Sequence, residues 1–484
     1  MTAPAFDPPH PPGLPIGADW VPVEHTATVR FPFDGSAIAA APVGTPAQAG
    51  QAVTEAVAVA RAVAALPSRV RRAVLTGVHD ALAEHRAEFE RLLVLETGKP
   101  LVDCQVEVAR TLVTWSAAAE EVARLHGETV PLDLLPSGDG LVGFWTRRPI
   151  GVVVGIAGFN YPLLLASHKI APAIAAGCPV VCKPAPQTPL ATLWLVHLVR
   201  EAARAAGAPV ALAQLVTGDA EVGSALVTDR RIGAVSFTGS AAVGHRIARA
   251  AAPTKTLLEL GSNAALVVAE DADLDAAADA VLRGGFYASG QACISVQRVL
   301  VVEAVREEFV KRVLDRLDEV VVGDPRDPAT RVAALIDERA TARVLDWVDQ
   351  AVAAGARVLA GGGQVGGAVR PTVLADVPDA SPCWSEEVFG PVVCVRGVST
   401  VEEAVEQVNA SRYGLHASVY TRSLATAFRA VDELDVGGVV VNEVPGFRSD
   451  TMPYGGVKDS GTGREGPRFA VEELTVTRMA VIRP

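Results

Sequence analysis

Residues 150–183 read IGVVVGIAGFNYPLLLASHKIAPAIAAGCPVVCK. The run GVVVGI is apolar at every position, not at alternate ones, so a strand there is buried on both faces. Pro162 to Ala176 suits a helix with proline in its first turn, and PVVCK is a second apolar strand. Strand, helix and strand in that order read as a parallel crossover. The pattern then repeats: a helix from Thr188 to Ala206, the strand QLVTG, a helix from Ala220 to Val227 and the strand IGAVSF. Residues 149 to about 255 are therefore expected to form a doubly wound parallel sheet. Such sheets bind ligands beyond the carboxyl ends of their strands.

On the N-terminal side, residues 1–17 form a Pro-rich lead expected to be loose. A β-type segment spans Ala27 to Phe33. Thr45-Pro46 reads as an N-cap followed by proline at the first helical position, with Val53, Val57 and Ala60 on one face. Ser68 is expected to cap a second helix carrying Val74, Val78 and Leu82 and ending at Gly98. A third helix runs from about Gln105 to Leu125, and Leu132 to Thr146 is Gly-rich and strand-like. On the C-terminal side, residues from about 262 to 450 give a second strand and helix series. Its helices lie near Leu274–Arg283, Val305–Val320 and Thr341–Ala354, and Gly361-Gly362-Gly363 reads as a hairpin tip. A short helix and strand, Leu474 to Ile482, close the chain.

The chain has 484 residues, half of them hydrophobic and only 5% aromatic, so its core is mainly Ala, Val and Leu. A net charge of −12 with no long basic run argues against nucleic acid or an anionic membrane as partner. Six cysteines are too few for a disulfide scaffold and show no zinc spacing. With no signal-like N-terminus and no membrane span, a soluble, cytoplasmic protein is expected.

Chemistry concentrates between Thr256 and Val301. Glu259 lies in an apolar run with Leu257, Leu258 and Leu260, where desolvation raises a carboxyl towards a useful general base. Cys293 lies in the small-residue loop Gly290-Gln291-Ala292-Cys293, which leaves the sulfur approachable as a nucleophile. Taken alone, the cysteine is equally read as a small buried hydrophobe and the glutamate as an ion-pair partner. Phe237-Thr238-Gly239-Ser240-Ala241-Ala242-Val243-Gly244 ends a strand and opens a helix, a place for a phosphate or simply a capped helix start. Lys183 in Lys183-Pro184-Ala185-Pro186 follows a strand, as a ribose or phosphate ligand or a solvated loop lysine. Glu387 and Phe389 in EEVFGP are two residues apart and point the same way if the segment is extended. Asn160, before Tyr161-Pro162, reads as a helix cap or as a donor to a reacting oxygen.

LELGSN (258–263) and GQACISVQR (290–298), with Glu259 and Cys293 34 residues apart, resemble the paired signature of the aldehyde dehydrogenase superfamily. The likeness runs from about Ser36 to about Glu473. It implies two doubly wound Rossmann-like α/β domains, with cofactor binding in 18–125 and 149–258 and catalysis in 259–450. Residues 126–148 and 466–484 become an oligomerisation arm and tail that build a homodimer or homotetramer.

The resemblance assigns Cys293 as nucleophile, Glu259 as base and Asn160 as oxyanion donor together with the Cys293 backbone N–H. Lys169 and Glu465 match positions linked to proton relay, or form a buried ion pair. NAD or NADP is implied, with Lys183 on the adenosine ribose, Thr238, Gly239, Ser240 and Gly244 at the pyrophosphate turn and Leu260 in the cofactor site. Glu387 falls on the nicotinamide ribose and Phe389 near the ring. Pro186 departs from the acidic residue that many NAD-preferring relatives carry, so the choice of dinucleotide stays open. Ser262 replaces a common second glycine.

The implied reaction oxidises a small aldehyde to an acid through a thioester that water, activated by Glu259, hydrolyses. FNYPLLLASHKIAPAIAAG and MPYGGVKDSG look most like relatives acting on lactaldehyde, glyceraldehyde 3-phosphate or semialdehydes. Arg448 is placed to meet an anionic tail or to pair with Asp450. A cofactor-independent thiol hydrolase and a catalytically silent homologue are the competing classes.

Overall fold

The computed structural model describes residues 6–484. A six-stranded sheet runs in the order Gly461–Thr462, Lys255–Glu259, Ile232–Thr238, Val152–Ile156, Val180–Lys183, Ala213–Leu215. All its pairings are parallel except that of Gly461–Thr462. The chain winds outward from Val152–Ile156 through Val180–Lys183 to Ala213–Leu215, then returns to the other side of the starting strand at Ile232–Thr238. That reversal opens a crevice at the carboxyl ends of Val152–Ile156 and Ile232–Thr238, the usual ligand position of such a sheet. The crossover helix Pro162–Ala176 has proline at its first position and is buried along its whole length. This is why its sequence carries no polar face.

A seven-stranded sheet follows, ordered Arg357–Ala360, Thr372–Ala375, Val392–Val398, Arg298–Val302, Ala265–Val268, His416–Tyr420, Gly438–Val441. Only the edge strand Arg357–Ala360 is antiparallel. Successive residues of its central strand feed two cores: Ala265 and Val267 face one, Leu266 and Val268 the other. That is the period-two alternation of a strand covered on both sides. A third sheet is antiparallel, with Val142–Pro149 between Thr475–Ile482 and Glu128–Val130. The fold is thus α/β with two doubly wound units and a small β-arm.

Several local expectations need correcting. The lead is not loose from Phe6 onward: Leu14–Ile16 pairs with Asp19–Val21 and is buried, and His10 stacks on Trp20. Residues 1–5 lie outside the described chain. Thr45 does cap the helix Pro46–Ala64, in a reciprocal box with Gln48. Val57, however, is 40% exposed, and Ala49, Ala52, Val53 and Ala56 form the buried face instead. Ser68 is the first helical residue and makes no capping bond. The expected second helix is two, Ser68–Glu84 and Arg86–Thr97, broken at His85, and Gly98 ends the second with φ 71°. The hairpin tip is Gly366-Gly367, not the earlier glycine run: it joins Gln364–Val365 to Ala368–Val369 with φ of 55° and 85°.

Candidate active site

A cavity of about 500 Å³ lies where the loops after Val152–Ile156, Ile232–Thr238 and Lys255–Glu259 meet residues 287–294 and 387–389. Asn160, Glu259 and Cys293 all line it, as do Thr238, Gly239, Ser240, Leu260, Glu387, Phe389 and Arg448. Lys169, Glu465, Lys183, Pro186 and Gly244 do not form its wall.

Cys293 follows three consecutive left-handed residues, Ala288 (φ 49°), Ser289 (φ 56°) and Gly290 (φ 74°). Two of them are not glycine, a strained backbone that persists only when its surroundings over-determine it. Here Asp103 accepts from Ala288 N at 2.9 Å, Ser289 Oγ from Ala333 N at 2.9 Å and Gln291 Oε1 from Ile336 N at 3.0 Å. Gly290 is obligatory, since a Cβ there would stand 2.1 Å from the Gly390 carbonyl oxygen. The sulfur lies 3.1 Å from the Tyr454 hydroxyl. Burial pushes the thiol up to about 11, and the Tyr454 hydroxyl is the largest influence pulling it down.

Asn160 is not a helix cap. Tyr161 takes that place, and the Asn160 amide instead donates to the Gln291 carbonyl at 2.8 Å, directing it at the cysteine loop. Glu259 ends its strand opposite Thr238. It is buried and its Oε2 has no hydrogen-bond partner among the described residues. Burial first, then the nearby Glu465 carboxylate, raise its pKa well above the usual range, against the pull of Arg448 and Lys169. The carboxylate form of such a group is a stronger base towards water than an ordinary carboxylate.

Lys169 and Glu465 form the ion pair, at 3.0 Å, and Lys169 also donates to Thr238 Oγ1 at 2.7 Å. Glu465 further meets His168 at 3.1 Å and Arg448 at 3.2 Å. Burial resists ionisation of Glu465, yet Lys169, His168 and Arg448 hold its carboxyl well below the usual range. Arg448 also sits 3.7 Å from Asp450, which Arg110 grips in a two-pronged pair at 2.8 and 3.0 Å.

Of the residues expected at the dinucleotide, Thr238, Gly239, Ser240, Leu260, Glu387 and Phe389 line the cavity. Ser240 precedes the helix Ala241–Ala251 and makes no side-chain cap; Val243 N turns back on the Ser240 carbonyl at 3.1 Å, which leaves the Ala241 and Ala242 N–H groups to meet an anion. Gly244 lets that helix close on Leu260, whose Cδ2 a Cβ would approach to 2.2 Å. Lys183 ends its strand with its ammonium on the Pro184 carbonyl at 3.3 Å, and burial lowers its pKa to about 8. Pro186 is exposed. Glu387 accepts from Ser262 N at 3.0 Å, and burial raises it to about 7. The segment is not extended throughout: Phe389 takes φ 50° and meets Phe159 edge-on at 5.7 Å, yet still reaches the cavity beside Glu387. A free helix N-terminus, a strand-end lysine bonded only to backbone and a cavity carboxylate together suit a dinucleotide.

Tyr454, Arg110 and Tyr287 also line the cavity and were not singled out by the sequence. Tyr454 stood in a quoted motif, but nothing in its neighbours marked its hydroxyl. Arg110 lies inside the helix Leu101–Glu121, where an arginine reads as solvated surface.

A doubly wound sheet with a switch-point crevice, facing a thiol and a buried carboxyl, suits a dinucleotide-dependent oxidoreductase. The model of the aldehyde dehydrogenase family matches residues 20–480. The 3-sulfolactaldehyde dehydrogenase of Priestia aryabhattai is 40% identical over 413 residues, 85% of this chain and 86% of the relative. The structure of aldehyde dehydrogenase 21 from Physcomitrella patens, in complex with its reaction product succinate, superposes with TM-score 0.94 at 36% identity, covering 97% of this chain and 98% of that one. The NADP complex of the glyceraldehyde-3-phosphate dehydrogenase GapN from Methanocaldococcus jannaschii gives TM-score 0.92 at 32% identity, covering 96% and 100%. The chain belongs to the aldehyde dehydrogenase family and is an NAD(P)-dependent aldehyde dehydrogenase.

Proposed function

We propose that the chain oxidises a small, anionic aldehyde to its carboxylic acid through a thioester on Cys293. The observation that carries this reading is the convergence of Asn160, Glu259 and Cys293 on one cavity from three separated stretches. The Cys293 thiolate attacks the aldehyde carbon. The oxyanion that forms is held by the Asn160 amide and the Cys293 backbone N–H, donors worth roughly 3 kcal/mol each in acyl-type chemistry. A dinucleotide held by Lys183, Ser240 and Glu387 would supply the acceptor for the hydride that leaves the substrate carbon as the oxyanion collapses to the thioester. Glu259 takes a proton from water, which attacks the thioester and releases the acid and the thiolate. Lys169, bonded to Thr238 and to Glu465, and Glu465, close to Glu259, offer the proton a way out.

The unit around the six-stranded sheet, 18–125 and 149–258, holds the dinucleotide. Thr238, Gly239, Ser240 and Gly244 shape the pyrophosphate turn, with Lys183 on the ribose. Glu387, Phe389 and Leu260 border the nicotinamide end, and 259–450 carries the nucleophile. Arg448 and Arg110 line the far wall and give it the charge to hold an anionic tail. The relatives' sulfolactaldehyde and succinate carry such tails.

The arm and tail, 126–148 and 466–484, join copies into a homodimer or homotetramer. Their sheet exposes Val142, Val476, Met479, Val481 and Ile482, and light scattering showing a stable monomer would overturn this assembly. The cysteines described are all unpaired thiols, which suits the cytoplasm. No helix among the described residues is long and apolar enough to cross a membrane.

The test is cofactor-dependent formation of reduced nicotinamide with a panel of neutral and anionic aldehydes. The rate should vanish in Cys293→Ala. A rate that persists in that variant refutes the covalent route.

A further inference from the structure

We propose that Tyr454 is a catalytic residue whose phenolic hydroxyl donates a hydrogen bond to the Cys293 thiolate and sets how much of the nucleophile is ionised. The proposal rests on the reading of Cys293 as nucleophile.

The geometry is specific. The hydroxyl stands 3.1 Å from the sulfur. In the thiol form either atom can donate; once the sulfur ionises it can only accept, so the phenol must donate. The ring has little freedom to move away. It is 3% exposed, the Arg448 guanidinium lies 3.7 Å from its centroid, and His416 meets its edge at 5.0 Å. Its backbone is tied to Glu465 in both directions, at 3.1 and 2.7 Å. The fixed side chain therefore holds its donor in place before the reaction begins.

The surroundings explain why a donor is needed. The groups facing the sulfur are the Tyr454 and Tyr287 phenols, the Glu259 and Glu387 carboxyls and the Arg448 guanidinium. Burial and the two carboxyls oppose a thiolate. Only Tyr454 and Arg448 favour it. The phenol remains a donor across the working range, because burial raises its own pKa well above the ordinary value. Arg448 over the ring face strengthens the arrangement, since a cation there draws charge from the π-system.

A hydrogen bond to a charged group is worth about one pKa unit or more. Lost thiolate is partly offset by the greater nucleophilicity of a more basic sulfur, which rises with roughly half the slope. In Tyr454→Phe the midpoint of Cys293 alkylation by iodoacetamide against pH, followed by peptide mass mapping in the full-length protein, should move up by about one unit. Below the midpoint the alkylation rate should fall about threefold. Phenylalanine keeps the ring contacts, so a purely structural role would leave the midpoint unmoved. As a second measurement that keeps the fold, 3-fluorotyrosine at position 454 is a stronger donor and should move the midpoint down. An unchanged midpoint in both proteins overturns the proposal. If Cys293→Ala still abolishes activity in that case, only the role of Tyr454 falls; if Cys293→Ala stays active, the parent reading falls with it.

Discussion

The Asn160 side-chain amide donates to the Gln291 carbonyl at 2.8 Å, bridging 131 residues of chain between the first core strand's loop and the nucleophile loop. The bond ties the amide to the loop that carries Cys293, and both side chains line one cavity. Asn160→Ala should therefore lower kcat by about a hundredfold or more while leaving dinucleotide affinity unchanged, the signature of a lost oxyanion donor. Stopped-flow turnover alongside fluorescence titration with the cofactor checks both halves.

Glu259 is proposed to act after the thioester has formed, so its loss should separate two phases. Glu259→Gln should give a burst of reduced nicotinamide close to one per active site, followed by turnover slowed at least a hundredfold. In the wild type the raised pKa means that the base form gains population as pH rises through it. The hydrolytic rate should climb over the same range, and that limb should be absent in the glutamine variant. A variant with no burst would place Glu259 in the first half-reaction and overturn its assignment.

Much of this was legible beforehand, for physical reasons. Runs such as GVVVGI and PVVCK fold as read because an unbroken apolar run suits a strand covered on both faces. Cys293 and Glu259 were visible as candidates from their small-residue and apolar surroundings, and the resemblance to the family supplied their expected roles. Tyr454 and Arg110 were not, because their roles depend on distances between segments far apart in sequence. Helix detail failed where the signal was weak. Val57 matched the helical period on the edge of a stripe that small alanines fill, and His85 breaks a helix without a glycine or proline to announce it.

Asp450 links Arg110 and His168 and is 3% exposed. Burial works against its ionisation, yet the bonds from His168 and Arg110 hold its carboxyl far below the usual range. A depressed folded-state value means that the stabilisation is complete above the unfolded value of 3.8 and is lost as pH falls through the folded one. Asp450→Asn should cost about 3 kcal/mol at neutral pH by leaving the Arg110 guanidinium without its counter-charge. Thermal unfolding at several pH values should show the gap from wild type shrinking in acid.

At the proposed ribose end Pro186 offers no carboxylate, so nothing at that position repels a 2′-phosphate. Pro186→Glu adds an acceptor for two ribose hydroxyls and a negative charge beside the Lys183 strand end. The variant should bind NADP at least tenfold more weakly and NAD no worse, a shift of about 1.4 kcal/mol between the two. Titration with both dinucleotides measures it, and parallel losses for both would mean that the loop had merely been distorted.

Arg448 brings a charged side chain to the cavity wall with its Nε 3.7 Å from Asp450 and without a hydrogen-bond partner among the described residues, while its Nη2 holds Glu465 and its plane covers Tyr454. Only 5% of the side chain is exposed, so a substrate carboxylate, sulfonate or phosphate meeting it would be largely desolvated. Charge-assisted bonds in such a setting are among the strongest a site can offer. Arg448→Gln should therefore raise KM for an anionic aldehyde by at least tenfold and leave KM for an uncharged aldehyde of the same length within about threefold. The guanidinium also pairs with Glu465, so kcat should fall for both substrates by a common factor. The ratio of the two kcat/KM values isolates tail recognition from that shared loss. An unchanged ratio would confine Arg448 to holding Glu465 and Tyr454 in place and leave Arg110 as the remaining cation on that wall.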